Sequence, residues 1–571
     1  MNKKVMDVED LIRPDALAHV ISNKNNLWAS LRSTRVAEIK ELRNYLYATD
    51  TSTTSNSALP WANKTTTPKL TQIKDNLHAN YFNALFPNRQ WNRWEGYDED
   101  SSAKADVIQA YLDNKIRLSG FVDTVSTALD DFIETGMVFG MVDYSADYNN
   151  VEGDIIPAYV GPKLHRISFH DITFDPTAVS FVNTPKIIRS VLSLGDLKKM
   201  DEQMFQRVVE NRKNVTNAAS SGYSFDKSDG YVADGFSSIQ SYYDSEYVEM
   251  LTFYGDIYDK ETETLMENKI IKVVDRAFVL SEEDQPSWLG HAPIYATGWR
   301  NRPDNLYAMG PLDNLVGMQY RIDHLENLKA DVFDLIAYPV IKQRGEVDDF
   351  VYEPGARAYM GEDGDISFLV PDTTALNADF QISNLQDLME EMAGAPKQAM
   401  GFRTPGEKTA FEFDGLQQAA NKVFQHKAAH FERTFLEPVL NAMLEVSRRN
   451  IQFAEKVRTF DTSLGVEEFL TITKEDITAK GKIVPVGARH FAEKAKRVQE
   501  LQALNSQRAD PTIGVHLSGK KMAEIMADEL GEEGLYEENV GLLEQIETQR
   551  LAAELQVEEQ ERQVVASENN L

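Results

Sequence analysis

The stretch GPLDNLVGMQYRIDHLENLKADVFDLIAYPVIK, residues 310–342, decides the fold that this sequence predicts. Proline is well accepted at the first position of a helix, so a long helix is expected to start at Pro311. Pro339 marks its end, because the residue before a proline is pushed out of helical conformation. Residues at helical spacing form its predicted buried face: Leu312, Leu315, Gln319, Ile322, Leu325, Val332 and Leu335.

A hairpin, a short helix, a loop and a second long helix are predicted to follow. Strand-like runs lie near 338–342 and 366–370, and the short helix spans Ala378–Met392. The second long helix spans Phe411–Asn450, and Pro438 should kink it because proline lacks the backbone donor. The loop between the two helices is rich in Gly and Pro and carries three basic residues: Lys397, Arg403 and Lys408.

The remainder of the chain mixes both kinds of pattern. Strands and turns are predicted from Met141 to Ala178 and from Tyr247 to Leu280, with a polar insertion over Asn214–Ser241 between them. The last segment, Leu535–Val565, reads as a strongly acidic helix. The predicted fold class is therefore α+β, mainly α. Further helices are expected over Asp7–Tyr47, Leu70–Leu85, two stretches within Ala103–Phe139, Leu194–Val209 and several after His490.

Composition limits the function classes. A chain of 571 residues is too long for one core, so several sub-domains are expected. It has no cysteine, which excludes disulfides and thiolate chemistry, and it has no apolar run long enough for a membrane span. The 90 acidic residues exceed the 59 basic ones, whereas a broad DNA-gripping surface needs the opposite surplus. Either solubility or a surface past which DNA slides without sticking would explain this balance.

Motifs that would carry chemistry are incomplete. GVHLSGKK, residues 514–521, resembles a phosphate-binding loop, but Lys521 stands where a magnesium-binding Ser or Thr is needed. His426 and His430 have zinc-ligand spacing, but Lys427 replaces the expected glutamate. We therefore predict no catalytic residue, no cofactor and no metal site, and no enzyme activity. Three acidic clusters in turns keep a metal-dependent nuclease, or a loosely held divalent ion in the last of them, as alternatives: Asp98–Asp100, Asp348-Asp349 and Glu362–Asp365.

The order of elements from Gly310 onward resembles the core of portal proteins, the head-to-tail connectors of tailed bacteriophages. It is most similar to those of short-tailed phages. The likeness is carried by residues 310–342, by PGARAYMGEDGDISFLVPD at 354–372 and by the helix–loop–helix stretch 382–446. The segments HRISFHDITFDPTA and EYVEMLTFYGDIYD add to it, so that it covers roughly 167–449.

The resemblance implies a portal fold with wing, stem, clip and a helical crown or barrel. Its expected parts are an N-terminal wing region 1–166, a wing-to-stem region with the polar insertion 167–245, a strand-rich clip 246–305, a stem helix 306–340, a wing hairpin and helix 341–392, a tunnel loop 393–410, a kinked wing helix and following segment 411–489, and crown or barrel helices 490–571.

The function implied by the resemblance is that of a dodecameric ring at one capsid vertex. The ring would be the channel for double-stranded DNA during packaging and ejection. It would contact the DNA without sequence specificity. Its partners would be the terminase large subunit, then a tail adaptor or head-completion protein, together with the major capsid protein and scaffold, and no membrane. The chain would assemble in the host cytoplasm and reside in the virion.

Within that channel, Lys397, Arg403 and Lys408 would touch DNA transiently, the alternative being plain loop solubility. Another structural virion subunit, of the tail or baseplate, is the main alternative for the whole chain.

Overall fold

The structure, a computed structural model, describes residues 15–47, 66–87, 91–151, 154–217, 246–259, 264–285, 290–348, 357–369, 377–393, 423–461 and 466–487. The basic loop, the acidic segment Leu535–Val565, GVHLSGKK and nearly all of the polar insertion lie outside these residues. The described part contains both helices and strands, with the strands largely in antiparallel sheets and hairpins, which confirms the α+β class.

The helices are α1 (Ala16–Leu46), α2 (Lys69–Leu85), α3 (Glu99–Ser102), α4 (Ala105–Leu118), α5 (Phe121–Glu134), α6 (Leu194–Met200), α7 (Glu202–Asn217), α8 (Val316–Ala337), α9 (Asp379–Ala393), α10 (423–450) and α11 (Lys474–Ile477). A 3₁₀ turn at Asp313–Leu315 precedes α8, and a π-helical segment, Glu432–Leu436, lies inside α10.

The strands are β1 (Asn92–Gly96), β2 (Met137–Val151), β3 (Asp154–Ile167), β4 (Ile172–Phe174), β5 (Lys186–Ser193), β6 (Tyr247–Asp259), β7 (Thr264–Val274), β8 (Phe278–Asp284), β9 (Ile294–Gly298), β10 (Arg300–Arg302), β11 (Asn305–Met309), β12 (Val340–Arg344), β13 (Asp365–Leu369), β14 (Glu455–Asp461), β15 (Val466–Ile472) and β16 (Gly481–Pro485). A five-stranded antiparallel sheet has the order β4-β5-β6-β7-β8, and a three-stranded one the order β3-β2-β9. Antiparallel hairpins join β10 to β11, β12 to β13 and β14 to β15.

Two compact units make up the chain. The larger consists of Met1–Pro87, Lys115–Asn450 and Lys482–Pro485, and the smaller of Asn88–Asn114, Ile451–Gly481 and Val486–Leu571.

In the smaller unit, the Asp98 side chain accepts from the Ser101 backbone N–H at 2.8 Å and so caps α3. The first acidic cluster therefore begins a short helix. The Trp94 indole N–H donates to the Ser101 carbonyl at 3.1 Å and holds β1 against that helix.

Three apolar clusters are present among the described residues of the larger unit, and two of them involve α1. Ile21 and Trp28 of α1 pack against Leu251 and Phe253 of the five-stranded sheet. A second cluster is rich in aromatic rings and includes Phe139, Phe169, Phe174 and Tyr307. The second helix expected within Ala103–Phe139 is α5, which buries Phe121, Val125, Leu129 and Phe132 at helical spacing.

Two predicted helix boundaries were wrong. The single helix expected over Leu194–Val209 is divided between α6 and α7, because the Asp201 carboxylate accepts from the backbone N–H groups of Gln203 and Met204 and starts a new helix. The helix expected to reach Phe139 stops at Glu134, because Gly136 adopts a φ of +74° and turns the chain into β2.

A buried ionic triad ties the five-stranded sheet together. Glu249 of β6 is fully buried and accepts from Arg189 Nε at 2.8 Å and from Arg276 Nε at 2.7 Å. Burial alone would raise the pKa of Glu249, but the two guanidinium groups outweigh it and lower that pKa to about 2. The Glu249 carboxylate is thus ionised inside the sheet, and both of its oxygens accept hydrogen bonds from arginine.

Replacing Glu249 by Gln should lower the free energy of unfolding at pH 7 by about 3–5 kcal/mol, because two buried guanidinium groups lose their counter-charge. Since the folded pKa lies below the unfolded value near 4.5, this stabilisation is present above pH 4.5 and fades as pH falls toward 2. Urea denaturation between pH 7 and pH 3 measures both effects. Glu283→Gln, an exposed ion-pair partner on β8, is the control and should cost under about 1 kcal/mol; equal losses for the two variants would contradict the role of the triad.

Candidate functional site

The first long helix, α8, leaves the core of the larger unit at a point fixed by Asp313. Its carboxylate accepts from the Gly310 backbone N–H at 2.7 Å and from the Arg35 guanidinium at 2.7 Å. Those bonds hold the chain in a turn, so α-helical hydrogen bonding begins at Val316 and not at Pro311. The predicted helix start at Pro311 was therefore five residues too early. The predicted end before Pro339 is close to the observed last residue, Ala337.

Only the first half of α8 is buried. The first five members of the predicted face are buried: Leu312, Leu315, Gln319, Ile322 and Leu325. The last two, Val332 and Leu335, are half-buried, while their neighbours Phe333 and Ile336 are exposed. The helix therefore extends beyond the core along its C-terminal half.

A buried polar network surrounds the base of α8. The Asp323 carboxylate accepts from the Thr67 backbone N–H at 2.9 Å and from the Gln319 amide at 2.8 Å. Burial raises the pKa of Asp323 to about 6 against these hydrogen bonds. Close by on α9, the Glu390 carboxylate forms a buried ion pair with Lys69. Hydrogen bonds thus fix α8 to Thr67, just before α2, and a buried ion pair fixes α9 to α2 itself.

We define the arm as the described residues 328–348, 357–369 and 377–388, which form the exposed half of α8, the hairpin β12–β13 and the first part of α9. Apolar side chains are exposed in each of these three stretches, Tyr338 at 75 % and Phe380 at 81 %. Such a set is far larger than the scattered apolar residues of an ordinary surface. Its members are Leu328, Phe333, Ile336, Tyr338, Val340, Tyr359, Met360, Phe368, Leu369, Phe380 and Leu388.

The hairpin has an apolar base and a charged tip. Val340 lies opposite Leu369 and Ile341 opposite Phe368, so both faces of the hairpin are apolar where it joins the helices. Lys342 and Arg344 place positive charge on β12, whereas the third acidic cluster, Glu362–Asp365, leads into β13. That cluster lies in an exposed turn.

Glycine is required inside the hairpin at one point. Gly345 has a φ of +78°, and a Cβ there would lie 2.1 Å from the Asp363 carbonyl oxygen. The two strands therefore approach more closely there than any side chain allows.

Other residues singled out in the sequence are only partly brought together. Lys397, Arg403 and Lys408 lie outside the described residues. Pro438 lies two residues after the π-helical segment, at whose end the Glu437 N–H donates to the Glu432 carbonyl, five residues back. Such a segment fits a proline two residues on, since Pro438 has no N–H for the Thr434 carbonyl. The kink itself stays a prediction.

Within the described ranges, no group of three or more His, Asp or Glu side chains is arranged to hold a metal ion. His426 and His430 lie one turn apart on α10. No helix in that same part of the chain has an apolar stretch of bilayer-spanning length.

Sequence reasoning missed the exposure of the arm, although a signal was present. Val340-Ile341 and Phe368-Leu369 place apolar residues at consecutive positions, which is typical of strands covered on both faces. A two-stranded hairpin has nothing of its own to cover it.

Replacing Asp323 by Asn should raise the melting temperature at pH 7.5, because the ionised carboxylate is buried at a cost. Its folded pKa of about 6 lies above the unfolded value of 3.8, so that cost is full above pH 6 and vanishes as pH falls toward 3.8. The gain of the variant over the natural chain should therefore be several degrees at pH 7.5 and should shrink at pH 4.5. Differential scanning calorimetry at both pH values tests this, with exposed Asp123→Asn as control. A gain of equal size at both pH values would refute it.

Two comparisons with known proteins found no relative of this chain. Neither a scan against protein-family models nor a search of curated proteins matches this chain. The arm, its buried base and the order of the elements around it are thus the features that bear on function.

Proposed function

We propose that this chain is a ring-forming portal subunit of a tailed bacteriophage, whose ring conducts double-stranded DNA through one capsid vertex. The observation that carries the proposal is the arm, a long helix, a hairpin and a returning helix that extend from a core with apolar side chains exposed. The order of these elements is the one that the sequence resemblance to portal proteins requires.

The arm favours a subunit that is completed by its neighbours. An isolated two-stranded hairpin is marginally stable in water, and this one has apolar residues on both faces. Each large apolar side chain that leaves water contributes roughly 1.5–3 kcal/mol. Covering the arm by copies of itself would supply that stabilisation in the assembled particle.

The charges of the hairpin favour a ring over a twofold dimer. Around a ring, β13 of one subunit would lie beside β12 of the next, antiparallel, and Asp365 would meet Lys342 or Arg344. A twofold contact through β12 would instead oppose like charges, which destabilises neighbouring strands. A head-to-tail contact that closes on itself is the arrangement of a ring.

We assign the docking role, for the packaging motor and later the tail adaptor, to the hairpin at the tip of the arm. The strand-rich segment 246–305, expected to be the clip, contributes β6, β7 and β8 to the five-stranded sheet and buries Leu251, Phe253 and Ile271. A docking element must reach outward, and the exposed hairpin would do so. This proposal moves the hairpin out of the wing region 341–392, while the other wing assignments, the stem and the crown stay as the resemblance implies them.

The acidic balance of the chain supports the channel role. DNA that is pushed through a pore must not bind its wall tightly, and a net charge of −31 prevents broad phosphate binding. In this proposal the subunit performs no catalysis. A metal-dependent nuclease would instead degrade plasmid DNA in the presence of magnesium, which an agarose gel detects.

Electron microscopy of the purified full-length chain should reveal ring particles with a central hole, and native mass spectrometry should give about twelve subunits. A chain that remains monomeric at high concentration would overturn the proposal.

The hairpin contact is tested by charge reversal. Lys342→Glu with Arg344→Glu should reduce the ring fraction at least tenfold, because both strands then carry negative charge. Adding Glu362→Lys, Asp363→Lys and Asp365→Lys reverses the partner strand as well and should restore rings. Lys198→Glu with Lys199→Glu on exposed α6 is the matched control and should form rings normally. Rings from the first variant would place the contact elsewhere on the chain.

A further inference from the structure

A cluster of cations lies where strand β10 meets helix α10, in the larger unit. Arg300 and Arg302 are exposed on β10, and α10 adds Lys427 and Arg433, with His426 and His430 on the same helix. We call these six residues the cationic patch. Sequence reasoning treated the histidines as ordinary and did not connect them with β10.

Trp299 organises the patch. The Lys427 ammonium lies 4.6 Å from the centroid of the Trp299 ring and donates to the Trp299 carbonyl. The Arg300 guanidinium carbon lies 5.1 Å from the same centroid. The indole N–H donates to the Tyr81 hydroxyl at 3.0 Å, which fixes the buried ring. Two cations are therefore held close together on one rigid aromatic platform.

The patch is not neutralised within the described part of the chain. Among the described residues, no carboxylate forms an ion pair with Arg300, Arg302, Lys427 or Arg433, although Asp304 is near in sequence. Burial, then Lys427, Arg433 and His426, lower the pKa of His430. Burial and then Arg300 lower the pKa of Lys427. The charges that act on these two residues are thus cationic, in a chain where acids outnumber bases by 90 to 59.

An open pocket of about 300 Å³ adjoins the patch, and its wall includes Asn301, Arg302 and His430. The Thr434 hydroxyl in the same wall donates to the His430 carbonyl at 2.7 Å and lies 2.6 Å from the Thr297 hydroxyl, so this pair is bonded within the protein. Guanidinium, ammonium and amide groups are among the donors that proteins use on phosphate oxygens.

The extent of the patch favours a polymer over a single phosphate. From His426 to Arg433 the helix rises roughly 10 Å, at 1.5 Å per residue. One DNA strand carries a phosphate about every 3.4 Å along the duplex axis, so roughly three phosphates fit this length.

We propose that the cationic patch binds the phosphodiester backbone of double-stranded DNA without reading its sequence. The inference deepens the proposed function and rests on it for the identity of the polymer. The patch would give DNA one local, electrostatic contact on an otherwise acidic subunit. An acidic protein segment is the competing occupant.

Fluorescence anisotropy of the full-length chain with a 30-base-pair duplex of arbitrary sequence, between 50 and 200 mM KCl, tests the proposal. Arg300→Gln with Arg433→Gln should weaken binding at least tenfold at the lowest salt. The slope of log K against log salt should become shallower by about 2, since each neutralised phosphate contributes about 0.9. Lys198→Gln with Lys199→Gln on α6 removes equal charge elsewhere and should bind like the natural chain.

The outcomes separate this inference from the proposed function. Loss of DNA binding in a variant that still forms rings in electron micrographs supports both. Patch-dependent binding by a chain that forms no rings keeps the patch and overturns the portal subunit. Unchanged binding in the patch variant, or an equal loss in the control, overturns the patch. Binding of polyglutamate but not DNA, lost in the patch variant, would assign it to an acidic protein instead.

Discussion

The ion pair between Arg35 and Asp313 fixes the point from which the arm extends, and the candidate site depends on it. Arg35 of α1 also donates to the Thr135 carbonyl at 2.9 Å, so one guanidinium joins α1, the end of α5 and the start of α8. Both partners are nearly buried. Loss of Arg35 would leave Asp313 as an uncompensated buried charge, a cost of about 3–5 kcal/mol, whereas Arg35 also pairs with Glu38 at 2.8 Å. The direction of α8 is therefore set by electrostatics inside the core.

Close backbone packing completes the same junction. Gly136 has a φ of +74°, and a Cβ there would lie 2.3 Å from the Gly310 nitrogen. The Gly136 carbonyl accepts from the backbone N–H of Trp299 at 2.9 Å. Since Trp299 carries the cations of the patch, the base of the arm and the patch belong to one rigid framework. A subunit contact at the arm and a DNA contact at the patch would thus keep a fixed spacing.

The local sequence pattern predicted most helices and strands. It failed mainly where contacts with residues far away in the chain set the boundary of an element. The spacing over Leu70–Leu85 gave α2 to within one residue, and the two runs near Val340 and Phe368 gave the hairpin. The start of α8 was misplaced because Asp313 is held by Arg35, 278 residues earlier in the chain. The cationic patch could not be predicted from local sequence either, because β10 and α10 are far apart in the sequence and meet only in the folded chain. The start of α7 at Asp201, by contrast, was readable as a helix cap.

Net charge and local charge act over different distances, so the acidity of the chain is compatible with the proposed DNA contact. At about 0.1 M salt the screening length is roughly 10 Å, so exposed carboxylates farther away scarcely reduce the potential at the patch. There the sign is set by near neighbours, and among the described residues the charges that shift the pKa of His430 are those of Lys427, Arg433 and His426. Because the proposed contact is narrow, it would release few counterions and its affinity would be modest. A polymer held this way could be displaced step by step, as the proposed transport through a ring would require.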